Sequence, residues 1–545
     1  MTVKGQILRS ASVIAVITII SRIFGYLRDQ RIALLLGTSP AADSFVLAFR
    51  VPSMIRRMTA EGSLGASFIP LFSGQLRNAS REEAWDFARK VFWDLAILLA
   101  IVAVLGIMFS RQVIGIYTLF GSQQVHWDLA VVLNRIIFPS IFFMGLAALA
   151  AAILNSLHVF GIPASASIFF NLTIIAFSFG FLYPPVLRLL PAGVRSPAAV
   201  LAIGVLVGTF FQFAIQIPSM LRSGMKFFPP GVTVSDPGVR HFGRLMGPSF
   251  FGMGVYQINL FIDTIFATSS RMPSGSITSL YVADRVMQLV LGSYAVAMST
   301  VILPTMSHQL AAGQLEEMKR TFGFALRIVS FITIPAAVGL ILLRKPIIQV
   351  LFQHGRFVAE STSLTANALL YYAVGLPAYA AIRLISPMYY SVKDTATPAK
   401  IGAYALVCNV ILNAAFLLFA FRYLSNGSPA LASSLAAYFN FVLLFVFFRK
   451  RYGGLGTRDL AGPIAKMAAC ATAMAAMSYA VLRLSGFAEI RHVAAQAGML
   501  AAMIGASVGV YFGVAWLLRC EELAEFLSML RRAEPGAQPA AELGI

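Results

Sequence analysis

Apolar runs of roughly 20 residues, each long enough to cross a bilayer, recur along this chain from end to end, and no other feature constrains its fold as strongly. They fall near 10–35, 41–73, 91–110, 129–155, 164–184, 197–218, 245–270, 276–307, 323–343, 363–390, 400–420, 429–449, 463–484 and 492–518. A segment surrounded by lipid must satisfy its own backbone N–H and C=O groups, so each run is expected to be a helix. The expected fold class is an all-α polytopic membrane protein of about fourteen spans. Composition agrees: 58% of the residues are hydrophobic and 12% charged, about half the charged share of a soluble domain.

The net charge of +20 would suggest nucleic acid in a soluble chain. Here the basic residues sit mostly in short loops, where they set orientation in the bilayer, and no nucleic-acid partner is expected. One alternating set of loops carries Arg77, Arg81, Arg89 and Lys90, then Arg222, Lys226 and Arg240, Lys319 and Arg320, Lys393 and Lys400, and Arg449 to Arg451 with Arg458; the other set is poorer. The positive-inside rule places the richer set and both termini in the cytoplasm. The apolar stretch from Ala11 to Ile20 runs straight into Arg22, Arg28 and Asp29 without a small-residue cleavage pattern, so no cleaved signal peptide is expected. Cys408, Cys470 and Cys520 lack metal-ligand or CxxC spacing and read as small packing residues. In the 521–545 tail, Leu523, Phe526, Leu527 and Leu530 have the spacing of an interfacial amphipathic helix, and 533–545 read as a disordered end.

An internal repeat is visible. Gly106, Arg111 and Gly121 are echoed by Gly339, Arg344 and Gly355, Pro70 and Ser73 by Pro304 and Ser307, and Pro163-Ala164 by Pro398-Ala399, all at offsets near 234 residues. Ala42-Asp43 matches Ala283-Asp284 at a longer offset, which an insertion around Glu61 would explain. Six spans separate equivalent positions, so the halves share orientation about a pseudo-two-fold along the membrane normal. The expected organisation is an N-terminal lobe, 1–240, a C-terminal lobe, 241–455, and two extra helices over 456–520. Two lobes around a midplane cavity suit alternating access.

The first two spans carry unusual charge. Span one holds Ser21, Arg22, Gly25, Arg28, Asp29 and Arg31; span two holds Asp43, Arg50, Pro52, Arg56, Arg57 and Glu61; Asp263 lies in span seven and Asp284-Arg285 open span eight. An ionised side chain at the bilayer centre costs about 2.5–3.5 kcal/mol on insertion scales, so these groups should face protein or a wet cavity. Arg22, Arg31, Arg50 and Arg57 lie toward span ends or beside acids and read as snorkelling or helix-locking residues. Arg28, Arg56 and Arg285 sit deep and outnumber their acids, which favours ligand binding. A guanidinium grips phosphate oxygens in pairs and stays charged at any relevant pH. Gly25 and Pro52 are expected to interrupt their helices beside these arginines, as broken helices do where they line a transporter cavity.

The run Ser21 to Asp29, then Ala42 to Phe45, then Pro52 through Arg56-Arg57 to Ala60-Glu61-Gly62, resembles the MurJ/MviN family of lipid II flippases. So do Phe138-Pro139, Ala152 to Asn155, Tyr281 through Asp284-Arg285, and Tyr390-Ser391 followed by Asp394 and Thr397-Pro398. The resemblance runs in order through residues 5–450. It implies the multidrug/oligosaccharidyl-lipid/polysaccharide exporter fold and movement of undecaprenyl-diphosphate-linked peptidoglycan precursor, lipid II, across the bacterial inner membrane. The family's functional positions fall on Arg22, Arg28, Asp29, Asp43, Arg56, Glu61 and Arg285, with Asp284 beside the last, and the deep arginines would line a central cationic cavity. The two extra helices resemble the pair that forms a groove for the prenyl tail.

The resemblance also implies membrane potential or a coupling ion, sodium or a proton, and no other cofactor. Asp263, Asn409 and Asn413 are candidates for the cation, with Ser433 or Ser434 adding a hydroxyl; oxygen-only ligands suit a hard cation. An ordinary interhelical hydrogen-bond cluster is the competing reading. A drug or other lipid-linked oligosaccharide exporter of the same superfamily is the alternative function. A membrane glycosyl- or prenyltransferase would need paired acids for magnesium, and the acids here are scattered or beside arginines, so no enzyme is expected. A second role as a scaffold for cell-wall synthesis enzymes stays open.

Overall fold

A computed structural model describes residues 3–59, 63–119, 121, 125–180, 188, 192, 195–228, 236–392, 394–453, 461–490 and 492–532. Among them every regular element is helical. The first eight helices are α1 (Val3–Leu36), α2 (Pro40–Met58), α3 (Leu64–Asn78), α4 (Arg81–Met108), α5 (Ser110–Tyr117), α6 (Trp127–Ile137), α7 (Ser140–Ser156) and α8 (Gly161–Gly180). Then come α9 (Pro197–Ala214), α10 (Ile217–Ser223), α11 (Pro237–Ala267), α12 (Ser276–Ala311), α13 (Leu315–Phe352), α14 (Ala359–Val374) and α15 (Leu376–Ser391). The last five are α16 (Ala396–Ala415), α17 (Ser428–Tyr452), α18 (Ala461–Leu484), α19 (Val493–Leu517) and α20 (Glu521–Arg532).

Helix occupies the described part of each of the fourteen expected spans. By length and composition eight described helical segments can cross a membrane, or nine when the bent α14–α15 pair counts as one. One of these, Ala396–Tyr452, has 57 residues. At 1.5 Å per residue that is enough to cross about 30 Å of hydrocarbon twice, and a π-helical turn at Phe416–Ala420 and a short 3₁₀ turn at Ser425–Gly427 break it.

Several helices depart from the simplest reading of the sequence. Span four is two helices, α6 and α7, parted at Phe138-Pro139, and span ten bends by 43° at Gly375. Gly25 and Pro52 do not interrupt their helices as expected: α1 and α2 run through both. A single proline deletes one backbone bond, which the remaining turns of a packed helix tolerate. Helix starts follow local chemistry. Ser39, Ser80 and Ser196 each accept from one of the backbone N–H groups that the first helical turn would otherwise leave open, and Pro40 and Pro197 occupy first-turn positions where no N–H is needed.

The chain forms two compact units, residues 1–282 with 352–364, and residues 283–351 with 365–545. In the first, α8 packs on α1 and α9, α7 on α3, α4 and α9, and α2 on α6 and α11. An aromatic core of Phe68, Phe72, Trp85, Phe87, Phe92 and Phe242 holds the α3–α4–α11 side together. Lipid tails are as apolar as leucine, so close contact and hydrogen bonds, rather than expulsion from water, decide which helices meet. Gly145 illustrates the first: a Cβ there would lie 2.3 Å from a Leu99 methyl. Asn134 illustrates the second, donating to the Ser110 hydroxyl at 2.9 Å.

In the second unit α17 packs on α15 and α16, and α18 on α19. Tyr389 donates to the Leu444 carbonyl at 2.6 Å and Tyr511 to the Phe331 carbonyl at 2.8 Å. Cys470 and Cys520 lie in an apolar cluster with Phe331, Met467, Met474 and Leu523, as expected of packing residues. The tail forms helix α20 with Leu523 buried in that cluster and Arg327 3.6 Å from Glu521; residues 533–545 lie outside the described residues.

Candidate anion-binding site

The charged face of α1 meets α8 along a polar seam. Arg28 and Asp29 are both 8% exposed. Arg28 gives Nε and Nη2 to one Asp29 carboxylate oxygen, at 3.0 and 2.7 Å, and Nη1 to the Asn171 side-chain carbonyl at 2.9 Å. Asn171 is itself oriented by donating to the Ser21 backbone carbonyl at 3.3 Å. A Cβ on Gly25 would stand 3.6 Å from the same Asn171 amide, an ordinary van der Waals contact, so α1 passes close to the bridge here. Phe170 lies 5.6 Å below the guanidinium carbon. One helical turn on, Arg31 donates Nε to the Ser178 hydroxyl at 3.1 Å, with its guanidinium carbon 4.0 Å from the Phe179 ring centre. Ser178 spends its own proton on the Ile175 carbonyl, so toward Arg31 it can only accept.

Asp43 has a different environment from the one expected of a ligand-binding acid. It is fully buried and accepts from the backbone N–H of Gly275 at 2.9 Å, the N–H of Thr278 at 2.8 Å and the Thr278 hydroxyl at 2.6 Å. These donors open the first turn of α12, so the carboxylate closes the N-terminus of that helix, where open N–H groups and the helix dipole favour an anion. Gly275 has φ +84°, and a Cβ there would lie 2.2 Å from the Thr38 carbonyl, so only glycine fits this joint. On the same side, Gly37 at φ +60° lets the chain pass the Arg356 carbonyl, Arg356 N–H donates to the Leu34 carbonyl at 2.9 Å, and Thr38 and Ser361 share a 2.7 Å hydroxyl contact.

The other expected residues have their own local settings. Arg50 donates to the Thr264 hydroxyl at 3.0 Å. Arg56 and Arg57 are half-buried in the last turn of α2, and Arg22 is on the exposed side of α1. Glu61 lies outside the described residues. In the second unit Asp284 is buried and accepts from Gln288 at 2.5 Å, beside a half-buried Arg285. Of the cation candidates, Asp263 is buried in the first unit, and Asn409 and Asn413 are buried in the second. Asn409 donates to the Ser433 hydroxyl at 3.3 Å, which ties α16 to α17, and Asn413 donates to the Asn409 side-chain carbonyl at 3.0 Å within α16. Among the described residues no group of three or more His, Cys, Asp or Glu could hold a metal ion.

Two carboxylates outside the spans have well-defined electrostatics. Asp236 caps α11 and accepts from Lys90 at 2.9 Å; that bond holds its pKa below the ordinary carboxylate value against the opposing effect of burial. Burial pushes Asp394 up, but bonds from the Thr397 N–H and hydroxyl and the charge of Arg451 outweigh it, and its pKa is lowered.

Reading by charge alone missed Asn171, Ser178, Gly275 and Thr278. Asn171 and Ser178 did carry a signal: they are polar residues in an apolar span, seven apart and so on one helix face.

A family model described as lipid II flippase MurJ matches residues 32–496. A probable lipid II flippase MurJ from Vibrio cholerae is 33% identical over 452 residues, covering 82% of this chain and 83% of the relative. One from Rhizobium tropici is 32% identical over 534 residues, covering 96% of each. A solved lipid II flippase MurJ in an inward closed conformation superposes with a TM-score of 0.74 at 26% identity, over 93% of this chain and 98% of that one. An inward-facing MATE family multidrug transporter of the MOP superfamily superposes at 0.66 with 15% identity over 82% of this chain and 98% of that one, which speaks to the fold alone. The helical architecture and this breadth of similarity establish a polytopic transporter, and the chain belongs to the lipid II flippase MurJ family.

Proposed function

We propose that this chain moves lipid II from the cytoplasmic to the periplasmic leaflet of the bacterial inner membrane by alternating access, with Arg28, Arg56 and Arg285 supplying the positive charge of a cavity that receives the diphosphate. Family membership over residues 32–496 is the observation that carries this reading. Chemistry supports it. A diphosphate cannot cross about 30 Å of hydrocarbon without something to replace its hydration. Arg28 is a buried guanidinium already engaged through its fork, the donor geometry that suits phosphate oxygens. Asp29 and Asp284 stand next to arginines, where they compete with the ligand and keep binding weak enough for release.

Complementation of a flippase-depleted strain tests the reading. Arg28→Ala, Arg56→Ala and Arg285→Ala should each fail to restore growth, and the lysine variants should restore it partly, with membrane levels equalised by blot. Normal growth with all three alanine variants at wild-type levels would remove the cationic cavity from the mechanism. Orientation has its own test. With both termini in the cytoplasm, the loop around residue 359 is periplasmic. Ala359→Cys is the probe of choice, because Gly355 has φ +61° and a Cβ there would lie 2.7 Å from the Leu34 carbonyl. Its labelling by an impermeant thiol reagent in spheroplasts is expected; labelling only after lysis would invert the topology.

A further inference from the structure

Arg31 has the makings of a second anion site. It sits three residues beyond Arg28 on α1, so the two guanidiniums share a helix face about 4.5 Å apart along the axis. Their settings differ in one respect. Arg28 is matched by the Asp29 carboxylate, whereas Arg31 has no carboxylate within ion-pair distance among the described residues. Among the described residues its hydrogen bond goes to a neutral hydroxyl, and its charge otherwise rests on the face of Phe179. Its Nη2 is buried and makes no hydrogen bond among the described residues. A buried charged donor left open is costly, and natural structures rarely carry one without a use. The host residues are also built alike. Asn171 and Ser178 lie seven apart on α8, each turned by a backbone carbonyl so that an oxygen faces its arginine. The seam therefore holds two guanidiniums in register, the first compensated and the second not.

We infer that Arg31 is a further substrate-binding residue, a second rung that takes a diphosphate oxygen on Nη2 after the ligand leaves Arg28, one turn nearer the outer end of α1. The inference rests on the diphosphate-binding reading above and goes beyond it in assigning a residue whose position near a span end suggested only a structural role. Arg28, held by an acid, releases its ligand by exchange with Asp29. Arg31 has no such competitor within its span face, so it draws the anion onward.

The test is leaflet exchange of fluorescently labelled lipid II in proteoliposomes, at several mole fractions of lipid II, for wild type, Arg31→Gln, Arg31→Lys and Arg56→Ala. Arg31→Gln should lower the maximal rate five- to tenfold and leave the half-saturating mole fraction within twofold, because the first capture is intact. Arg31→Lys, with the charge kept, should retain at least half the wild-type rate. A role confined to packing α1 on α8 would lower the thermal midpoint in both variants and produce no such split between rate and half-saturation. If Arg31→Gln runs at the wild-type rate while Arg56→Ala is inactive, the second rung is wrong and the cavity stands. If Arg31→Lys loses as much as Arg31→Gln, packing explains the residue and the inference is also overturned. Wild-type rates for Arg56→Ala as well would sink the cavity reading itself.

Discussion

The α1–α8 and α18–α19 pairs are both long helices packed side by side, yet they are held by opposite means. Beside a buried ion pair within α1, two arginine side chains reach across to amide and hydroxyl acceptors on α8 and lie against two of its aromatic faces. Between α18 and α19 a 2.7 Å contact joins the Ser478 and Ser507 hydroxyls, and each serine also donates or shares a bond with its own preceding turn. The same two helices bury Met467, Met474 and Met503. Small and flexible side chains suffice to pair helices in lipid, where a hydroxyl contact adds only a few tenths to about 1 kcal/mol. Charge is not needed for that purpose and costs desolvation. The contrast teaches that the α1 seam is built for something besides adhesion, and that disturbing it should separate transport from folding in a way that disturbing α18–α19 cannot.

The contrast can be broken in stages. Asp43→Ala should have the largest effect on stability, because it leaves two N–H groups and a hydroxyl buried without an acceptor; a loss of about 3 kcal/mol is expected. Thermal unfolding in detergent would show it, and Asp43→Asn should recover part of the loss by accepting one of the bonds. A midpoint equal to wild type for Asp43→Ala would contradict the capping role. Asp263→Asn comes next and bears on a third polar region. If Asp263 serves a coupling cation, ion-stimulated transport should fall severalfold while the midpoint holds within the error of the measurement; unchanged ion dependence makes it structural glue. Ser478→Ala should cost only about 0.6 kcal/mol and leave lipid II exchange at the wild-type rate. A transport defect there would erase the distinction between the two helix pairs.

The smallest effect is expected outside the bilayer, at Asp394. Its pKa is lowered in the folded protein, so its contribution to stability is fully present above the ordinary carboxylate value of about 3.9 and disappears as pH falls through the lower folded value. The stability difference between wild type and Asp394→Asn should therefore be constant from about pH 5 to 8 and shrink below about pH 4. A difference that grows on acidification would reverse the assigned sign.

The spans were legible because a helix in lipid answers to its own residues. Backbone bonds close within the segment, so hydropathy and length locate each one without knowledge of its neighbours. Local departures were harder to see. Pro52 was expected to break α2 and does not, whereas Gly375 bends the α14–α15 pair by 43°, because neighbouring helices decide whether a freed backbone group can be satisfied in place. The candidate site was legible as chemistry and illegible as geometry. Charge in a span marked Arg28, Asp29 and Asp43 as important, since burying charge demands a partner.

Who those partners are is a property of the packed molecule. Asn171 stands 143 residues from Arg28, and Gly275 and Thr278 stand 232 and 235 from Asp43. No periodicity links positions so far apart; they meet only because α8 lies along α1 and the start of α12 reaches the start of α2. Sequence alone settled that this chain is a helical membrane protein with costly charges in its first two spans, since both follow from the free energy of single groups in hydrocarbon. Tertiary structure alone decided that Asp43 closes a helix end while Arg31 keeps an open donor, since hydrogen bonding is directional and short-ranged and depends on which atoms packing brings within about 3 Å.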